Sequence, residues 1–218
     1  MRDIFVAPGR ALASIAERPT WIVAYFIVAA ITVAGMLLAA PALMHVMVAL
    51  AQAGPQTPAQ TAAELTKSAR LALASQVISS LIAPILMWNI AAVSVALLAR
   101  KETPLASYPR LLALNAYGNI PAALGTLAFG IVLRLQPPGN FATVADLYHA
   151  FPLSLAALVR HADERQLSFL GFWDPWQLWS LILIGYGYAA FLKLDLTLAL
   201  ALSFAIGLAY ALMITFST

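Results

Sequence analysis

Two sets of residues in this chain have types and spacings that could do chemistry. The first is Asp146, His149, His161, Asp163 and Glu164. Asp146 and His149 share a helical face, and imidazole nitrogen with carboxylate oxygen is a donor set suited to zinc or another divalent ion. No HExxH or comparable metal spacing accompanies them. They read as solvated loop charges before they read as a metal site, and neither a metal nor a cofactor is expected. The second set is Asn89, Asn115, Tyr117, Asn119 and Pro121, placed in segments otherwise apolar enough to cross a bilayer. At membrane depth such groups either hydrogen-bond helices to one another or line a polar cleft. A cleft opening near Pro84 and Pro121 would suit a lipid headgroup or small solute. His45 stands alone and reads as a polar interface residue rather than a proton-relay group.

The element that must position the second set is the stretch from Tyr108 to Leu135. As a helix it places Asn115, Gly118, Asn119, Ala122, Gly125 and Thr126 on one narrow stripe of small and polar groups, the kind of face on which membrane helices approach closely. Pro121 has no N–H to give to the carbonyl of Tyr117, so that carbonyl needs another partner or the helix bends. A second such face recurs every four residues near the end of the chain, at Ala199, Ser203, Gly207 and Ala211.

Composition decides the class. The chain has 218 residues, 62% hydrophobic and 10% charged, against about 45–50% and about 25% in soluble domains. The expected fold is all-α: a polytopic transmembrane helical bundle of about five spans, with short amphipathic surface helices. The spans fall at 21–43, 74–99, 108–135, 175–192 and 196–216, in a single membrane domain 21–218 with an extramembrane loop at 136–174. Residues 1–20 form a basic lead, read either as an interfacial helix or as an ordinary flank to the first span. The apolar run after it is too long for a cleaved signal and is taken as a retained span. Asp174-Pro175 is a strong helix start, and Lys193-Leu194-Asp195 is expected to turn a tight hairpin between the last two spans.

The absence of cysteine excludes disulfides, thiol catalysis and cysteine-ligated metal. No serine-nucleophile motif, phosphate loop or intramembrane acid pair is present, so neither an enzyme nor an ion-coupled transporter is expected. A net charge of +3 without a basic run fits anionic lipid headgroups and not nucleic acid. With the N-terminus cytoplasmic, Arg2, Arg10, Arg18, Arg100, Lys101, Arg110 and Lys193 lie inside, against Lys67, Arg70, Arg134, Arg160 and Arg165 outside.

Several short motifs occur in a telling order: Phe5-Val6-Ala7-Pro8-Gly9-Arg10-Ala11-Leu12, Pro19-Thr20-Trp21, Ala116-Tyr117-Gly118-Asn119-Ile120-Pro121, and Trp173-Asp174-Pro175-Trp176-Gln177-Leu178-Trp179. Through these and the number and spacing of its spans, the chain resembles the Yip1-domain family of polytopic membrane proteins, in its bacterial branch. The resemblance implies a five-helix protein of the bacterial inner membrane with a cytoplasmic N-terminus. It also implies, for eukaryotic relatives, partnership with small Rab-type GTPases. That partnership is not carried over, because Asp146-Leu147-Tyr148 is followed by His149 rather than Gly-Pro. The expected function is a non-enzymatic membrane-organising or adaptor protein whose partners are membrane lipids and another membrane protein or a second copy of itself. The alternative is a transporter or lipid-handling protein with a polar cleft near Tyr117–Pro121, and a third reading is a metal-dependent membrane enzyme using the loop histidines.

Overall fold

The computed structural model describes residues 15, 19–54, 61–99, 104–159 and 162–217, and among them the regular structure is all helical. The N-terminal interfacial helix, Arg2, Arg10, Arg18, Arg100, Lys101, Arg160 and His161 lie outside the described residues. The helices are α1 (Trp21–Ala53), α2 (Ala62–Ala99), α3 (Pro104–Gly118), α4 (Ile120–Arg134), α5 (Val144–His149), α6 (Glu164–Gly171), α7 (Pro175–Leu192) and α8 (Leu196–Ser217), with 3₁₀ turns at Pro138–Asn140 and Leu155–Leu158. Four segments, Trp21–Ala53, Ala62–Leu98, Ser107–Arg134 and Leu196–Phe216, are long and apolar enough to cross a bilayer. Helix α7 has 18 residues, about 27 Å of rise against a hydrocarbon core of ~30 Å. It buries Ser180, Leu181, Ile184 and Tyr188 among its neighbours.

Two helices run beyond their membrane spans. Helix α1 continues through Pro41 to Ala53, as the apolar run past Pro41 up to Gly54 implies. The reason is packing: Ala42, Leu43 and Val46 sit against Leu133 of α4 and Phe141 and Leu147 of the segment that follows it, and this outweighs the one backbone bond that Pro41 removes. Helix α2 starts at Ala62 rather than 74. Thr61 and Glu64 form the reciprocal bonds of a capping box, Thr61 N–H to Glu64 Oε2 at 2.8 Å and Glu64 N–H to Thr61 Oγ1 at 3.3 Å.

Local chemistry also sets the smaller elements. Helix α5 is opened by a capping box between Thr143 and Asp146, and α6 by one between Asp163 and Gln166. Asp174 accepts the N–H of Gln177 at 2.7 Å and Pro175 takes the first helical position of α7. Lys193 closes α7 in the left-handed region at φ 52°, and Asp195 Oδ1 then accepts the N–H of Thr197 at 2.9 Å to open α8. This is a tight antiparallel hairpin.

The bundle closes through small residues. On α8, Ala199, Ser203, Gly207 and Ala211 are buried; a Cβ on Gly207 would meet Leu181 of α7 at 2.8 Å, and Ser203 Oγ donates to the Leu181 carbonyl at 2.7 Å. A Cβ on Gly118 would meet Ile184 at 2.5 Å and one on Gly125 would meet Trp176 at 2.9 Å. The tightest crossing is between α1 and α4. A Cβ on Gly130 would lie 2.1 Å from the carbonyl oxygen of Gly35, and one on Gly35 would lie 2.6 Å from that of Thr126.

These contacts rank the glycines. Gly130→Ala meets backbone that cannot rotate away and is expected to cost about 3 kcal/mol or more, whereas Gly118→Ala meets the movable end of Ile184 and is expected to cost about 1 kcal/mol. Thermal unfolding of the two variants in detergent checks the order, and equal losses would show that the α1–α4 crossing is not the rigid contact described.

Candidate functional site

The break between α3 and α4 is one residue long, at Asn119 (φ −87°, ψ 0°). Backbone bonds continue across it, Asn119 N–H to the Asn115 carbonyl at 3.2 Å and Ala123 N–H to the Asn119 carbonyl at 3.1 Å. The N–H of Ala122 instead leaves the helix and donates to Ser180 Oγ of α7 at 3.0 Å. Behind the break sits a buried network. Asn115 Nδ2 donates to the Trp88 carbonyl of α2 at 3.2 Å, and Tyr188 of α7 donates to Asn115 Oδ1 at 2.8 Å. Asn115 and Tyr188 are almost wholly excluded from the surface. Asn115 thereby ties three helices together.

The other residues of the predicted set separate. Asn89 Nδ2 donates to the Ile85 carbonyl at 2.6 Å and its Oδ1 accepts the Tyr108 hydroxyl, joining α2 to α3. The Tyr117 hydroxyl lies 3.3 Å from Thr20 Oγ1, and Pro121 is buried within α4. None of these three lines either cavity described next.

Between Leu65 and Ala69 at one end and Trp88 to Ala96 at the other, where α2 is anchored by buried residues, positions 70–87 contain no buried residue. This length of α2 meets α1 at Tyr25, whose hydroxyl donates to the Leu81 carbonyl at 3.3 Å, and its Gln76, Ser80 and Pro84 wall a cleft of about 600 Å³. Its floor is α1 from Val28 to Leu50 together with Asn119, Ala122 and Thr126 of α4, and its far side is formed by Phe172, Gln177 and Tyr210. A second space of about 100 Å³ lies behind it. The two share Pro84, Trp88, Asn119, Phe172, Gln177 and Tyr210, and Asn115 and Tyr188 line the inner one. Helix α1 rises about 50 Å over its 33 residues, more than the ~30 Å core, and the cleft runs along it from Val28 to Leu50.

Among the described residues, the Gln76 and Gln177 side-chain amides, Asn119 Oδ1 and the Tyr210 hydroxyl all face this space without a hydrogen-bond partner. Asn119 Nδ2 is used locally, on the Asn115 carbonyl at 2.7 Å. Of these groups Asn119 was legible as a site residue. Gln76 and Gln177 were not singled out, although a strongly polar amide inside or at the start of a span is itself the signal. At the mouth, burial pushes the Asp174 carboxyl up, and the N–H groups of Gln177 and Trp176 pull the other way; the net shift is upward.

The loop acids and histidine are engaged elsewhere. Burial would raise the Asp146 carboxyl, but bonds from the Thr143 hydroxyl and the N–H groups of Thr143 and Ala142, with the nearby His149, leave it below the usual carboxylate range. Asp163 caps α6 through Gln166 N–H at 2.7 Å, and His149 Nε2 lies 2.9 Å from the Val159 carbonyl. Among the described residues no three His, Cys, Asp or Glu side chains come together as a metal site.

A protein-family model described as Yip1 domain matches residues 2–217. No curated protein and no solved structure matches the chain.

The network separates structural from available polar groups. Tyr188→Phe strands Asn115 Oδ1 in the core and is expected to cost about 1–2 kcal/mol. Asn119→Leu removes only a local bond and is expected to cost about 0.5 kcal/mol. Chemical or thermal unfolding in detergent reads both, and a larger loss at Asn119 would make it the anchor instead.

Proposed function

Because the chain belongs to the Yip1-domain family over nearly its whole length, we propose that this multi-pass integral membrane protein works by holding a membrane amphiphile in the cleft between α1, α2 and α4, and so acts in lipid handling or transport. The observation that supports this reading most is the set of unpartnered hydrogen-bonding groups around the cleft, Gln76, Asn119 Oδ1, Gln177 and the Tyr210 hydroxyl. In a bilayer an unsatisfied polar group costs several kcal/mol, and an amphiphile supplies both a polar partner and apolar surface. The reading is further supported by the length of the groove, which runs along α1 from Val28 to Leu50.

Binding without catalysis fits the local use of Asp146 and Asp163 as helix caps. A location in the bacterial inner membrane with the N-terminus cytoplasmic is supported by the distribution of basic residues and by the family resemblance.

The membrane-organising or adaptor role is the second reading. The small faces that could have met a partner, Gly118, Gly125, Ser203 and Gly207, are instead occupied inside the bundle. What favours the adaptor reading is a different surface: Leu153, Leu155 and Leu158 project from the folded layer that carries α5 and α6. A photo-crosslinker at Leu158 in native membranes tests it, with one discrete protein adduct supporting the role and lipid adducts alone counting against it.

The cleft is tested by filling it. Full-length protein purified from membranes is expected to retain an amphiphile identifiable by mass spectrometry, and Ser80→Trp, placed where α2 walls the cleft, is expected to lower occupancy at least about tenfold. An empty wild-type protein, or unchanged occupancy in a Ser80→Trp variant that unfolds normally, would rule the reading out.

A further inference from the structure

The charge on the cleft wall restricts what can enter. Among the described residues that line it there is one ionisable acid, Asp174, and no lysine, arginine or histidine. Asp174 and Gln177 are three residues apart on the first turn of α7, and the bond from the Gln177 N–H occupies only part of the capacity of the carboxylate. Deeper in, where the cleft meets the inner space, the Gln177 amide, Asn119 Oδ1 and the Tyr210 hydroxyl converge, and among the described residues none has a partner. The Asp174 carboxylate and Asn119 Oδ1 can only accept, while the Gln177 amide and the Tyr210 hydroxyl can act either way, so a head that satisfies the whole set must bring donors.

We propose that the ligand is a long-chain amphiphile whose head carries hydrogen-bond donors and no net negative charge, held at the head by Asp174, Gln177, Asn119 and Tyr210 with its chain along Met36, Ala39 and Leu43–Met47 of α1. The inference rests on the reading of the cleft as an amphiphile site and adds the class of headgroup. A phosphate or carboxylate head would meet Asp174 with no cation on the wall to offset it, and like charges brought together in a desolvated site are strongly disfavoured. A hydroxyl-bearing head meets no such opposition and satisfies acceptors that the protein leaves open. The same geometry explains why Gln177 matters beyond its place in the helix: it lines both spaces, as Asn119 and Tyr210 do.

The test compares two probes with one tail, monopalmitoylglycerol and palmitoyl-lysophosphatidylglycerol, titrated against the delipidated full chain in a neutral detergent by native mass spectrometry. The neutral probe is expected to bind at least about tenfold more tightly than the anionic one. Asp174→Asn keeps a good helix cap while removing the charge; it is expected to narrow that discrimination to about threefold or less by tightening binding of the anionic probe. Gln177→Leu, which leaves the cap untouched, is expected to weaken the neutral probe about tenfold. Equal or tighter binding of the anionic probe overturns the headgroup class while leaving the cleft as an amphiphile site. Binding of neither probe, by a protein that unfolds cooperatively, overturns both.

Discussion

Pro121 has no N–H to return to the carbonyl of Tyr117, and the bundle is arranged around that missing bond. In lipid no water is at hand to satisfy the backbone groups that a break exposes, so a neighbour has to supply the partner. Here the helix breaks for a single residue at Asn119, and Ser180 reaches across from α7 to accept the N–H of Ala122 in the first turn after the break. That contact fixes the depth of α7 against α4. Once α7 is at that depth, Tyr188 is level with Asn115, and the Tyr188–Asn115–Trp88 chain draws α2 in at its C-terminal end. A local defect in one span therefore sets the register of two others, α7 and α2.

Small residues complete the closure. The α1–α4 contact is backbone to backbone at Gly35 and Gly130, and α7 meets α8 through Gly207 and Ser203. Helix α2 carries small residues too, with Ser75, Ser79 and Ala83 four apart, but between positions 70 and 87 none of its residues is buried, and Leu71, Ile78, Ile82 and Leu86 are exposed. What holds this stretch is the Tyr25 hydroxyl of α1 on the Leu81 carbonyl, and the cleft lies along it at Gln76, Ser80 and Pro84.

Much of this was legible in the sequence because it is local or periodic. The four-residue repeat of α8 is buried as a stripe, and the hairpin follows from the impossibility of one helix twice the membrane thickness. The capping box that starts α2 was written in Thr61 and Glu64, but the polar run to Arg70 reads equally as a loop or as the wet first turns of the second span, and the structure shows the latter. What could not be read was pairing at a distance. Gly35 and Gly130 each look ordinary in their own spans, and only their juxtaposition makes them the tightest contact in the molecule. The predicted site divided for the same reason. Asn115 and Asn119 face inward on one stripe, whereas Asn89 and Tyr117 found partners on the other side of their helices.

The contrast between Asn115 and Asn119 carries the functional argument. Both are amides near the middle of the same span, four residues apart on one face. Asn115 has its oxygen and its nitrogen bonded to other helices, and it is buried. Asn119 has its nitrogen bonded within its own segment and its oxygen open to the cleft, where Gln177 and Tyr210 are also open. If polar groups at this depth served only to fasten helices, Asn119 would be expected to resemble Asn115, because a membrane interior gives every unpaired group the same incentive to find a protein partner. That several of them instead share one groove, beside the stretch of α2 in which no residue is buried, is the arrangement expected when the missing partner is a molecule that comes and goes.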